Sequence, residues 1–245
     1  MVARVSDDGE PKERRSIRNH MDRPVHEEKS KATLSKLAEC ARLAGATDAA
    51  PIDPAEILIE DDLADLCRQP RCRNYGLSRS CPPHVEGPGT FRQWLMAYRQ
   101  ALVIKIDVPS EILLSGARDE VMRLLHEIAA GVEAAAVEMG FPASKAFAGG
   151  SCKMLFCGEH PDCRVIDRGG RCRHPKQARP SMSGFGVNVS KLMQAAGWEL
   201  KRATHGPGKH DDSMAAVTAL VLIGLHGGRK NERDAPGGNR AQPYI

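Results

Sequence analysis

Between residues 90 and 148 the apolar positions change period repeatedly. Phe91, Trp94, Leu95 and Tyr98 recur at helical spacing, with Thr90 and Gln93 set as a capping box, and Ala101 to Val108 is then a nearly continuous apolar run. Val121, Leu124, Leu125, Ile128, Val132, Ala135 and Met139 return to one helical face that ends at Gly140. A second apolar run around Ala143 to Ala148 leads directly into Gly149-Gly150-Ser151-Cys152. Strand, helix and strand in this order predict a crossover unit whose two strands pair in parallel.

The flanking segments follow the same logic. Leu34, Leu37, Ala38 and Ala41 give a helix from Ala32 to Leu43, closed by Gly45, and Ile57 to Glu60 reads as a brief strand. Glu60-Asp61-Asp62 suits the first turn of a helix that delivers Cys67 and stops at Pro70, because carboxylates favour the positive end of the helix dipole. Gly76, Pro82, Pro83, Gly87 and Pro88 make Cys72 to Pro88 an irregular loop. Val189, Leu192, Met193 and Ala196 form a short helix closed by Gly197, and Leu200 to Thr204 and Met214 to Ile223 are two further strands joined by a Gly-Pro-Gly turn. The expected fold is α/β in the broad sense (α+β): a mixed sheet with a crossover helix and two cysteine-rich loops.

Charge patterning sets the ends. Residues 1–30 carry seven basic and seven acidic side chains with almost no periodicity, so a disordered, self-neutralising tail is expected there, and a flexible Gly-, Asn- and Arg-rich tail over 227–245. The single domain is then 31–226. The aromatic share of 4% argues for a core built on Ala, Val, Leu and Ile, and a net charge of +4 argues against a dedicated nucleic-acid binder. The first twenty residues have no apolar signal-peptide core, and Ala215 to Ile223 is too short to span a bilayer, so no membrane association and a soluble cytoplasmic protein are expected.

Cysteine placement brings in chemistry. Seven of the eight cysteines form two clusters: Cys67, Cys72 and Cys81, and Cys152, Cys157, Cys163 and Cys172. In a reducing compartment such clusters point to metal ligation rather than disulfides. The first has the form C-x4-C-x8-C-P-P, with its fourth ligand open to Cys40, His84 or an exogenous molecule. The second, C-x4-C-x5-C-x8-C, satisfies one cubane cluster or one zinc ion alone. Neither contains the C-x2-C knuckle of zinc ribbons, which favours one or two iron–sulfur clusters over zinc. Electron transfer, or redox support of a partner protein, is the corresponding function; a structural zinc module or a metal-delivery protein is the alternative.

Basic residues surround the second cluster. Arg164, Arg168, Arg171 and Arg173, with Lys176 and Arg179, face the single acid Asp167 over residues 164–179, and a cluster held by four thiolates is an anion that such cations stabilise. The four arginines are therefore candidate cofactor-binding residues, and all seven clustered cysteines candidate metal ligands. His160 and His174 read as loop or outer contacts, His126 as a helix-face residue near the core, and His205, His210, Asp211 and Asp212 as an exposed hairpin tip. Gly184-Phe185-Gly186 lacks the third glycine of a dinucleotide fingerprint.

Through Leu66-Cys67, Cys72-Arg73-Asn74-Tyr75-Gly76 and Ser80-Cys81-Pro82-Pro83, and through Gly149-Gly150-Ser151-Cys152, Cys172-Arg173-His174-Pro175 and Ala178-Arg179-Pro180-Ser181-Met182, the chain resembles a family of cysteine-rich proteins catalogued as domain of unknown function 2284. The resemblance runs over roughly residues 50–225 and implies metal binding. The first motif matches the family spacing, so Cys67, Cys72 and Cys81 carry over one by one. Many members carry a tighter second motif, C-x2-C-x2-C-x6-C, similar to bacterial ferredoxin ligation, where this chain has intervals of four, five and eight.

Overall fold

A computed structural model describes residues 31–199 and 214–225. The expected tails, the strand Leu200 to Thr204, the Gly-Pro-Gly turn and the histidines of the hairpin tip lie outside them. Among the described residues four strands form one sheet: β1 (Asp48–Ile52), β2 (Gln100–Pro109), β3 (Lys145–Ala148) and β4 (Met214–Ile223), in the order β1-β2-β4-β3. The described helices are α1 (residues 31–43), α2 (Asp61–Asp65), α3 (Gly87–Ala97), α4 (Ser110–Leu114), α5 (Arg118–Glu138), α6 (Cys152–Phe156), α7 (Arg164–Arg168) and α8 (Val189–Ala195), with 3-10 turns at Pro54–Glu56 and Met182–Phe185. The α+β class is as expected.

The pairing of the crossover unit is not. β2 and β3 run in the same direction on either side of α5, but β4 lies between them and pairs antiparallel with both, from Gln100↔Ile223 to Pro109↔Met214 on one side and Lys145↔Leu222 to Ala148↔Ala219 on the other. The physical reason is in β4 itself: residues 219–223 are buried throughout, and a strand apolar on both faces belongs in the sheet centre. β1, absent from the expectation, is an edge strand on β2 among the described strands, and Pro51 is tolerated there because one edge of the strand has no described ladder to feed.

Alternation along the strands divides the core. Leu102, Ile104, Val221, Ile223, Ala146 and Ala148 face α1 and α5, packing on Leu37, Ala41, Leu125 and Val132. Val103, Phe147, Leu220 and Leu222 face the opposite layer, where Phe91 of α3 and Phe185 meet Phe147 at ring centroid distances of 4.9 and 5.3 Å. α3 starts three residues before the expected cap at Thr90, with Pro88 in its first turn, where a missing N–H costs nothing. Instead of the expected strand at Ile57–Glu60, a single bridge joins Ile59 to Val187.

The end of β3 is where three segments meet. The N–H of Ala148 donates to Pro180 O (3.0 Å), Ala148 bridges Ser181, and the Ser181 N–H donates to Ser80 O (2.9 Å). The return from the second cysteine loop is thereby fixed to the sheet and to the first cysteine loop at one point. The Gly184–Gly186 pair serves close approach rather than a dinucleotide: a Cβ on Gly184 would sit 2.9 Å from Pro82, and Gly186, at φ +72°, lies against the Glu60 carbonyl.

Candidate metal centre

The second cluster grows from the end of β3. Gly149 and Gly150 turn the chain under Met122, and Cys152 opens α6. Cys163 caps α7, and Gly169 at φ +60° ends it and returns the chain to Cys172. Cys152, Cys157, Cys163 and Cys172 all line one cavity of about 330 Å³, open mouth included. Lys153, Arg164 and Arg173 complete its charged wall. Lys153 is buried and donates from Nζ to Cys157 O (2.8 Å) and to His160 O, while Arg173 is held by Asp162 through Nη2 to Oδ1 at 3.0 Å. Arg168 and Arg171 are exposed and outside this wall; Arg168 reaches Asp162 at 3.6 Å.

The polar groups around the sulfurs are donors. The His174 N–H points at Cys172 Sγ (3.4 Å), and the hydroxyls of Ser78 and Ser80 lie beside Cys152. Among the described residues the buried Ser78 Oγ has no hydrogen-bond partner of regular geometry, so a charged sulfur in this cavity would receive a proton donor already in place. Burial pushes the Cys152 thiol up to about 12, against the Ser80 and Ser78 hydroxyls, with Cys81 and Cys172 adding to the rise. Burial also raises Cys157, with Cys172 adding and Arg173 opposing. Such thiols become thiolates when a cation enters and supplies the missing positive charge.

The first cluster forms a neighbouring, wider cavity of about 730 Å³ with its mouth, lined by Cys67, Cys72 and Cys81. Cys81 is buried, Cys67 half-buried and Cys72 exposed. Burial raises the Cys67 thiol first, Cys72 and Cys81 adding to it. Neither candidate for the fourth position lines the cavity: His84 Nε2 meets the Gly76 carbonyl at 3.3 Å, and Cys40 lies on α1. All eight cysteines are free thiols. Among the described residues, no three Cys, His, Asp or Glu side chains converge closely enough to hold a single ion directly; the second set rings a cavity instead.

The two loops share a wall. Cys81 Sγ donates to Ser151 Oγ at 3.3 Å, and Ser78, from the first loop, lines the cavity of the second.

The family pattern described as "Predicted metal-binding protein (DUF2284)" matches residues 50–223. The chain belongs to this family. No curated protein and no solved structure matches it. The family match encloses every clustered cysteine, both cavities and all four strands except the first two residues of β1.

Sequence reasoning missed the supports of this DUF2284 centre. Ser78, Ser80 and Ser151 stand next to or near cysteines in sequence, a visible signal left unused. Arg118 lines the first cavity from the start of α5 and has no sequence mark at all. His126 is fully buried; its Nε2–H donates to Gly149 O (2.9 Å) and its Nδ1 accepts from the Arg179 N–H (3.1 Å). Arg179 in turn meets Glu133 at 2.6 Å, so α5 grips both ends of the four-cysteine loop. No described helix is long and apolar enough to cross a membrane.

Proposed function

We propose that this metal-binding protein is an iron–sulfur protein, with a [4Fe–4S]-type cluster held by Cys152, Cys157, Cys163 and Cys172 and a second cluster on Cys67, Cys72 and Cys81, acting in cytoplasmic electron transfer or as the redox accessory of a partner enzyme. The observation that carries the reading is the single cavity ringed by four thiols, with Lys153, Arg164 and Arg173 in its wall and the His174 N–H aimed at a sulfur. Cationic side chains and N–H donors toward sulfur are what an anionic thiolate cluster requires, and they raise its potential. Bound there, an iron–sulfur cluster supplies one-electron chemistry. The protein residues hold it, screen it and hydrogen-bond its sulfurs.

The Cys81–Ser151 contact supports a relay, because the two sites then share a wall. Exposed Leu66 and Leu77, near Cys67 and Cys72, offer a protein redox partner apolar surface beside the more open site.

Anaerobic purification followed by visible absorption and iron, zinc and acid-labile sulfide assays tests this. Broad absorption at about 400 nm with about four irons and four sulfides per cluster is the expected result. A colourless protein with stoichiometric zinc would leave a structural module or a delivery protein.

A further inference from the structure

The three-cysteine cavity differs from its neighbour in having an unfilled side. Among the described residues three sulfurs enter it, and no fourth cysteine, histidine or carboxylate lines it. Two cations do: Arg73 from the cysteine loop and Arg118 from the first turn of α5. Both are exposed, and among the described residues neither guanidinium has a hydrogen-bond or ion-pair partner. The basic neighbours are occupied otherwise: Arg68 pairs with Asp65 (3.1 Å), Arg79 with Glu86 (3.4 Å), and Arg71 lies over the Tyr75 ring. On the remaining wall stand the hydroxyls of Ser181 and Ser183, which donate, and Asn74, whose buried Oδ1 has no hydrogen-bond partner among the described residues and can only accept.

We propose that this cavity binds a small α-hydroxy or α-amino carboxylate. Two unpaired guanidiniums and two hydroxyls match a carboxylate, since arginine's fixed fork of donors fits its two oxygens. The orphaned Asn74 carbonyl calls for an O–H or N–H next to that carboxylate, which a simple inorganic anion or a plain fatty acid lacks. A ligand of this kind also has a second donor atom for the ligand position that Cys67, Cys72 and Cys81 leave open. That last contact rests on the iron–sulfur reading above, whereas the contacts with Arg73, Arg118 and Asn74 do not.

The test is calorimetric titration of the anaerobically purified full-length protein, its metal and sulfide content known, with malate and serine, and with succinate and sulfate as controls. Electron paramagnetic resonance of the reduced protein is recorded with and without each compound. Saturable binding of malate or serine, at least tenfold tighter than that of succinate and sulfate, is expected, with a changed spectrum. Arg73→Gln and Arg118→Gln should each weaken it about tenfold or more while leaving the metal content unchanged. Absence of binding by protein with both sites filled with iron would overturn the proposal and leave the iron–sulfur function standing. So would undiminished binding in the double variant. Arginine-dependent binding of malate by a zinc-containing, colourless protein would support the carboxylate site while refuting the iron–sulfur function.

Discussion

His126 and Arg179 are joined by a hydrogen bond from a backbone N–H to a buried imidazole, at 3.1 Å, across 53 residues of chain. The same ring donates to Gly149 O at 2.9 Å, so a single side chain on α5 spans the mouth of the loop that carries four cysteines. Removing it orphans a half-buried carbonyl and a buried N–H at once. His126→Ala is expected to cost about 3 kcal/mol or more, from the lost bonds and the cavity together. A denaturant midpoint shift of that size, accompanied by reduced metal retention, is the readout; a change within about 0.5 kcal/mol would remove His126 from the role of a positioning residue.

The same histidine gives an acid signature. Burial is the main reason its pKa falls from 6.5 to about 4; the hydrogen bond to Gly149 opposes this and the Arg179 charge adds to it. The unfolded chain therefore binds a proton first as the pH falls. Stability is unaffected above about 6.5 and is lost between about 6.5 and 4, by about 3 kcal/mol in all. Carboxylates titrate in the lower part of this window too, so the measurement is the difference between the wild-type protein and His126→Gln across the range. That difference should shrink toward acid pH; a constant difference would contradict it.

Glu133 and Arg179 form a buried pair at 2.6 Å, with side-chain exposures of 17% and 6%. Glu133→Gln keeps the shape and leaves the guanidinium charge uncompensated, at an expected cost of about 3 kcal/mol. Replacing both partners with apolar residues of similar volume should cost less than the single change, and a double-mutant cycle followed by urea unfolding reads the coupling.

Cysteine substitutions should separate by place. Cys152→Ser is expected to remove one site's complement of metal, and Cys40→Ser none, because Cys40 lines neither cavity. Metal per chain after desalting decides it, and equal loss from both variants would contradict the assignment.

Ser78→Ala tests the buried hydroxyl. If it donates to a cluster sulfur, its loss lowers the reduction potential of the second site while leaving metal content unchanged, since hydrogen bonds to sulfur favour the reduced, more negative state. A redox titration showing no shift would assign Ser78 to packing alone.

The sequence was most legible where one segment carries its own signal. The period of Val121 to Met139 is nearly the span of α5, the apolar run of β2 is off by one residue at each end, and the cysteine spacings mark the two loops. It was least legible where the answer depends on which segments meet. Pro51 and its alanine neighbours hide β1, because edge position, not propensity, makes that strand. The place of β4 between β2 and β3 follows from burial on both faces, which a period of two or four cannot express. Arg118 and Cys81 are 37 positions apart, and only the packing of α5 behind the end of β3 brings them to one cavity. His126 was legible as a near-core helix residue, but its two backbone partners were not.

The supports of the four-cysteine loop have a second consequence. Two N–H groups of β3 bond outside the sheet, Ala146 to Glu133 Oε1 (2.8 Å) and Ala148 to Pro180 O (3.0 Å). β3 is an outer strand among the described ones, and an outer strand with unsatisfied N–H groups is a template on which another chain can add its own strand. Here the segment returning from the four-cysteine loop and the carboxylate that braces it occupy that margin. The segment that closes the four-thiol loop thereby also covers the outer N–H groups of β3, so loosening that loop would uncover a sheet edge.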